Sequence, residues 1–285
     1  MTVITLMTDF GIKDGNVGVM KGVIWGICPS AQVSDLSHTI EAQNIREASY
    51  LLARSATYFP KGSVHVVVVD PGVGTKRRPM VARIGDWFYV GPDNGTISGL
   101  LERAEFSGWQ TQFVELNRIK YWLPSVSFVF HGRDIFSPVA AHVANGVPLD
   151  QLGTPFTDPV RLELPKPQRT EDGWRGEVIQ IDHFGNLSSN IRAEHLGTAL
   201  ERKDNIVVRF NGTEIKGLEL AASYRFASGA RIGGAFAALE GRYDSDGDDV
   251  VDRDLDGRNI APDRLNLYAQ TPIAGGLSVR VQASH

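Results

Sequence analysis

Three short segments place acid, base and cation side chains at the ends of apolar runs: VVVVDPGVGTKRRP (66–79), FVFHGRDIFSP (128–138) and VIQIDHFGNLSSNI (178–191). In the first, the valine run Val66 to Val69 has the length and β-branching of a fully buried parallel strand. It delivers Asp70 into the turn Pro71-Gly72-Val73-Gly74, with Arg77 close behind. Open α/β sheets put their sites at the carboxyl ends of strands, where glycines let backbone approach a ligand. An acid (Asp70), a cation (Arg77) and a base (His131) so placed can hold a small polar reactant and handle its proton. Taken singly, Asp70 and Asp9 read as turn or helix caps, Arg77 as a solvated charge beside Lys76 and Arg78, and His131 as a core histidine or cap. Asp182 and Asn186 read as turn formers. The recurrence of strand end, glycine turn and polar side chain in three segments points to an enzyme.

The elements that must carry these residues alternate through the first 150 or so positions. Strand-like Val3–Met7, Gln32–Asp35 and Val64–Val69 are separated by helix-like Asn16–Ile27 and Ala42–Tyr58, an order that implies a parallel sheet covered by helices. Met80–Gly91 reads as two short strands around Gly85-Asp86, and Gly132–Asn145 has the apolar spacing of a helix beginning beside His131. Pro155, Pro159, Pro165 and Pro167 then fall in a stretch with no helical period. The expected architecture is therefore α/β: an α/β catalytic domain over 1–153 with a parallel sheet, a linker over 154–170, and a smaller β-rich domain over 171–285. Strands are expected there at Gly176–Ile181, Asn205–Phe210 and Leu277–Val281.

Composition limits the function classes. The 285 residues are 42% hydrophobic and 22% charged, with a net charge of −4, which gives no sign of nucleic-acid binding; Lys76-Arg77-Arg78 is too short a basic cluster to alter that. No apolar run approaches the roughly 20 residues that cross a bilayer, and MTVITLMTDFG reads as a first strand rather than a leader. No membrane association and a cytoplasmic location are expected. The single cysteine, Cys28, cannot form an internal disulfide, and the seven histidines include no pair at the spacing zinc prefers, so no metal site is expected. The acidic run Asp244-Ser245-Asp246-Gly247-Asp248-Asp249, with Asp252, imitates a calcium loop poorly: Asp249 stands where such a loop needs glycine and Leu255 where it needs glutamate. A solvated loop is the simpler reading of residues 244–256.

Five motifs in order, Thr8-Asp9-Phe10-Gly11, Asp70-Pro71-Gly72-Val73-Gly74 with Arg77, Pro92-Asp93-Asn94-Gly95, Phe130-His131-Gly132-Arg133-Asp134 and Asp182-His183-Phe184-Gly185-Asn186, span much of the chain. With them the chain, over residues 1 to about 230, resembles the S-adenosyl-L-methionine hydroxide adenosyltransferases, the adenosine-forming S-adenosylmethionine hydrolases related to the fluorinating and chlorinating enzymes. The resemblance implies hydrolysis of S-adenosylmethionine to adenosine and L-methionine, without a cofactor. It assigns Asp70, Arg77 and His131 to holding and polarising the attacking water. It assigns Asp9 to the ribose hydroxyls, Asp182 and Asn186 to the methionine end, and Phe184 to the adenine or its loop. It also implies a homotrimer whose pocket lies between the first domain of one subunit and the second domain of its neighbour. Asn94, followed by glycine, is read as a tight turn.

Two other functions stay open. A halogenating relative uses the same substrate, but such relatives have uncharged residues in place of the Asp and Arg, and the fluorinating ones carry an extra loop for which Arg83–Tyr89 leaves no room. Asp70 and Arg77 favour water, because an ionised carboxylate repels a halide. An adenosine-binding protein impaired in catalysis is the other, since relatives carry Ser-x-Gly-x-Leu-Glu near their end where this chain has Ala235-Phe236-Ala237-Ala238-Leu239-Glu240.

Overall fold

The computed structural model describes residues 2–181, 187–198, 208–210, 213–225, 231–243, 253–254, 264–272 and 278–284. Two compact units divide at Asn190/Ile191.

The first unit is built on a seven-stranded sheet. Its strands are β1 (Val3–Thr8), β2 (Gln32–Ser37), β3 (Val64–Val68), β4 (Pro79–Ile84), β5 (Trp87–Pro92), β6 (Thr111–Leu116) and β7 (Gly153–Phe156), in the spatial order β2-β1-β3-β5-β4-β6-β7. The pairings β1/β2, β1/β3 and β3/β5 are parallel, whereas β5/β4, β4/β6 and β6/β7 are antiparallel. Five strands thus point one way, and only β4 and β7 oppose them. The expected α/β class holds, with an antiparallel flank added to the parallel half.

Residues alternate across this sheet with period two, as a pleated strand requires. Val64, Val66 and Val68 face one core, with α1 (Asn16–Ile27) and α4 (Ser137–Ala144) over it, while Val67 and Val69 face a second core under α2 (Ile45–Ser55) and α3 (Ser98–Ser107). Burial on both faces explains why β3 is valine at every position but His65, itself buried with Nδ1 on the Thr5 hydroxyl.

The elements expected at Asn16–Ile27 and around Gly85-Asp86 lie where their patterns place them. The second helix begins later than its apolar spacing suggests. Gln43 sits at φ 65, outside helical space, and the Asn44 side chain accepts the Glu47 amide (3.0 Å) to cap the helix from Ile45. The helix expected from Gly132 opens with a π-type turn, Gly132–Phe136, before α4. There Ser137 supplies both its amide and its hydroxyl to the Gly132 carbonyl, the latter at 2.7 Å.

Beyond β7 the chain is tied back to the first unit: the Val160 amide donates to Asp93 at the end of β5 and the Leu162 amide to Ser98 at the start of α3, both at 2.8 Å. Two small hairpins follow, Gln168–Thr170 with Gly173–Arg175 and Val178–Ile181 with Leu187–Ser189. The second unit is β-rich. Its antiparallel sheet is dominated by Thr213–Arg225 and Arg231–Tyr243, joined by Val208–Phe210, Arg264–Pro272 and Ser278–Ser284, and by the short Arg253–Asp254 beside Arg231–Tyr243. Ala235–Glu240 lies within its second long strand.

Candidate active site

Parallel strands bring their carboxyl ends to one edge of the sheet, so the loops after β1, β3 and β5 emerge side by side. The loop after β1 carries Asp9, that after β3 carries Asp70, and that after β5 carries Asp93 and Asn94. Asn94 fastens two of them together: its amide donates to the Val69 carbonyl (2.9 Å), and its own oxygen accepts from the Thr96 hydroxyl (2.6 Å). The tight-turn role read for Asn94 is thereby specified as a clamp on the residue before Asp70.

Asp70 and Arg77 meet across the glycine turn. The Arg77 Nε donates to both carboxylate oxygens (3.0 and 2.9 Å), and its Nη2 closes a further contact with Asp70 Oδ2. The same Nη2 donates to Nδ1 of His131 at 2.9 Å. Side chains of Asp70 and Arg77 are nearly buried, at 4% and 9% exposure, and the guanidinium also lies 5.2 Å from the centre of the Phe136 ring. The acid, cation and base expected from 66–79 and 128–138 are therefore in mutual contact through Arg77.

This contact fixes what His131 can do. A guanidinium only donates, so Nδ1 must accept and the ring proton of the neutral imidazole resides on Nε2. His131 thereby presents an N–H donor on its far side. Its pKa is held below the usual histidine value by burial and by the Arg77 cation, opposed by the charges of Asp70 and Asp134. The neutral form is thus favoured. Below the cluster lies the fully buried Tyr89, whose hydroxyl donates to the Pro92 carbonyl (2.9 Å). Burial, followed by the Asp70 and Asp93 charges, drives its pKa upward, so it remains a phenol.

Gly74 joins the two loops that carry the cluster. It has φ +76, and a β-carbon there would lie 2.7 Å from the Phe128 carbonyl oxygen. Only glycine satisfies both the conformation and the approach.

Asp9 stands at the end of β1 and accepts the Gln43 amide on one carboxylate oxygen (2.8 Å), holding the left-handed Gln43 in place. Asp182, Phe184 and Asn186 lie outside the described residues, as does most of the acidic run 244–256. Among the described residues no group of three or more His, Cys, Asp or Glu side chains is arranged to hold a metal ion, and no helix is long and apolar enough to cross a membrane.

Arg78, which looks in sequence like one more solvated charge, turns the opposite way from Arg77. Its Nε donates to buried Asp93 (2.8 Å) and its Nη1 to Asp158 (2.9 Å), and it stacks 4.2 Å over Phe156. No spacing signal separates two adjacent arginines; the alternation of strand faces entering β4 does.

Residues 4–153 match the family model described as SAM hydroxide adenosyltransferase N-terminal domain. The chain belongs to this family. An (R)-S-adenosyl-L-methionine hydrolase of Salinispora tropica is 42% identical over 187 residues, covering 65% of this chain and 70% of that protein. A fluorinase of an Actinoplanes species is more distant, 27% identical over 224 residues, 69% of this chain and 74% of that one. A crystal structure of an uncharacterized conserved protein from Thermotoga maritima aligns with a TM-score of 0.67 at 38% identity, covering 73% of this chain and 78% of that one.

Proposed function

We propose that the protein hydrolyses S-adenosyl-L-methionine to adenosine and L-methionine by in-line attack of water on the 5′ carbon. Family membership and the hydrolase relatives support the substrate. The observation that carries the chemistry is Arg77 touching both Asp70 and His131 at the sheet edge that α/β proteins use for sites. As the C5′–O bond forms, the C5′–S bond breaks and its electron pair returns to sulfur, giving the neutral thioether of methionine. The proton shed by water goes to Asp70. The sulfonium is already a good leaving group, so the catalytic task is to orient a weak nucleophile, and positioning dominates the rate. His131 Nε2–H holds the water oxygen; with Nδ1 occupied by Arg77, the ring orients the water and does not relay its proton. No cofactor is required, because the substrate carries its own leaving group.

In the same proposal the remaining oxygen of Asp9 accepts a ribose hydroxyl, Asp182 and Asn186 hold the methionine end, and Phe184 packs on the adenine or supports its loop. A homotrimer with its pocket at the subunit interface completes the site. It is supported by exposed apolar side chains on the loops that carry Asp9 and His131, Ile12, Phe128 and Val129 at 86%, 82% and 61% exposure, which a neighbouring subunit would cover. A cytoplasmic location fits an intracellular methyl donor as substrate.

The halide-using alternative is disfavoured by the charge-paired carboxylate and by the two-residue turn between β4 and β5, which holds no inserted loop. The departure at Ala235–Glu240 favours the impaired binding protein as second reading. Incubation with S-adenosylmethionine in heavy-oxygen water separates them. Label in the adenosine is the expected result; bound, unconverted S-adenosylmethionine with no adenosine released would leave only the binding protein.

A further inference from the structure

The ten residues 122–131 that deliver His131 form a strap that Trp122 packs on the core at its start, but nearer the histidine apolar anchorage is slight: Val126, Phe128, Val129 and Phe130 are 39%, 82%, 61% and 44% exposed. Something polar must hold it. Asp134, whose side chain is fully buried, makes three hydrogen bonds to the strap. Its carbonyl accepts the Leu123 amide (2.9 Å), a carboxylate oxygen accepts the Ser127 amide (2.8 Å), and its own amide donates to the Phe130 carbonyl (3.0 Å). The carboxylate is balanced by Arg133, whose Nε and Nη2 donate to it at 2.6 and 3.0 Å while the guanidinium lies 4.9 Å over the Phe130 ring. Two of these bonds run through the main chain, and the carboxylate adds the one that fixes the middle of the strap at Ser127; a buried carboxylate with a cation and an amide on it is costly to disturb.

We propose that Asp134 is a positioning residue for His131: its buried carboxylate pins the strap so that the imidazole meets Arg77 in the tautomer with Nε2–H directed to the reactant. This rests on the hydrolytic reading for its kinetic consequence but not for its geometry. The charged groups around His131 are Arg77 before β4, Asp70 after β3, and Asp134 with its partner Arg133 on the π-type turn. Asp134 is the member of this set that both ties the strap and places negative charge near the ring, a charge that favours the protonated imidazole.

The test is nitrogen-15 NMR of the histidine rings in the full chain, with His131 assigned by its loss in His131→Gln, alongside kinetics with S-adenosylmethionine. In the parent protein Nδ1 is unprotonated and Nε2 carries the proton. In Asp134→Asn the titration midpoint of His131 moves down and the tautomers mix. In Arg133→Gln, which leaves the Asp134 charge uncompensated, the midpoint moves up. A role confined to folding stability would not give opposite signs. In Asp134→Asn kcat falls about 100-fold, the scale of a misplaced catalytic group, with KM within about twofold. An unmoved midpoint and tautomer in Asp134→Asn, or shifts of one sign in both variants, overturn the proposal. So does an unmoved midpoint in Arg133→Gln should Asp134→Asn not fold. If the parent protein releases no methionine, the hydrolytic reading fails while the ring titrations still decide the role of Asp134.

Discussion

Arg77 and Arg78 are neighbours in the chain, and each grips an aspartate whose side chain is nearly buried, yet the two clusters they build differ in how completely they are closed. Asp93 is satisfied on both oxygens, by Arg78 and by the Val160 amide, and Arg78 goes on to Asp158 and the Phe156 ring. Every group there is used in holding residues 154–160 to β4 and β5. In the other cluster Arg77 bonds Asp70 and then His131, whose second ring nitrogen is left to meet a reactant. An ion pair closed by backbone and aromatic partners is an anchor, whereas one that ends on an imidazole at a loop edge has capacity left for chemistry.

The largest expected effect is in the open cluster. Asp70→Asn keeps shape but abolishes the anionic acceptor, and adenosine release falls by about 10²–10⁴-fold while the thermal midpoint changes little. Preserved turnover would remove Asp70 from the chemistry. The closed cluster gives the converse. Asp93→Asn leaves one acceptor oxygen for two donors, the Val160 amide and the Arg78 Nε, and leaves the half-buried Arg78 charge only the exposed Asp158 as counter-ion, so urea unfolding registers a loss of about 3 kcal/mol, with activity per folded molecule retained. A stable variant with lost activity would show that the two clusters are not separable in this way.

The histidines repeat the contrast in milder form. His65 is fully buried with Nδ1 on the Thr5 hydroxyl (2.8 Å), and burial lowers its pKa to about 4 from 6.5. A group protonated more easily in the unfolded chain contributes stability above the unfolded value, and that contribution is lost as pH falls from about 6.5 towards 4. The expected slope is up to about 1.4 kcal/mol per pH unit, and His65→Gln flattens it in thermal melts taken across this window. An equal slope in parent and variant would assign acid sensitivity elsewhere. The smallest effect belongs to Asp158, which is 78% exposed. Asp158→Ala leaves both turnover and the melting midpoint within error, since Asp93 still holds Arg78; a marked drop would mean the anchor depends on its outer partner.

Much of this arrangement was legible in the residues, for reasons that can be named. A doubly buried strand is apolar on both faces save where a buried partner satisfies a polar group, so the valines Val66–Val69 announce themselves and point Asp70 at the sheet edge. A hairpin needs a turn residue at its tip, so Gly85-Asp86 marks β4 and β5. α3 is less visible, because Ser98, Gly99, Leu100, Leu101 and Ala104 are all buried and no polar face alternates with an apolar one. The start of α2 was hidden by Gln43, whose left-handed backbone depends on Asp9, thirty-four residues away. Asp93 is visible only as a member of the Pro92–Gly95 motif and Arg78 only as part of a short basic cluster, because nothing local tells either that the other is its partner across the β4/β5 pairing. Asp134 was visible as part of a motif, but its task depends on how the strap folds back onto it.

The contact between Gly74 and the Phe128 carbonyl has a consequence for anyone altering this protein. The turn after β3 and the strap before the π-type turn behave as a single mechanical part, sharing one joint with no clearance. Grafting either from a homologue without its mate would misalign a mesh that was cut as a matched set, so sequence exchanges here should move the two stretches together.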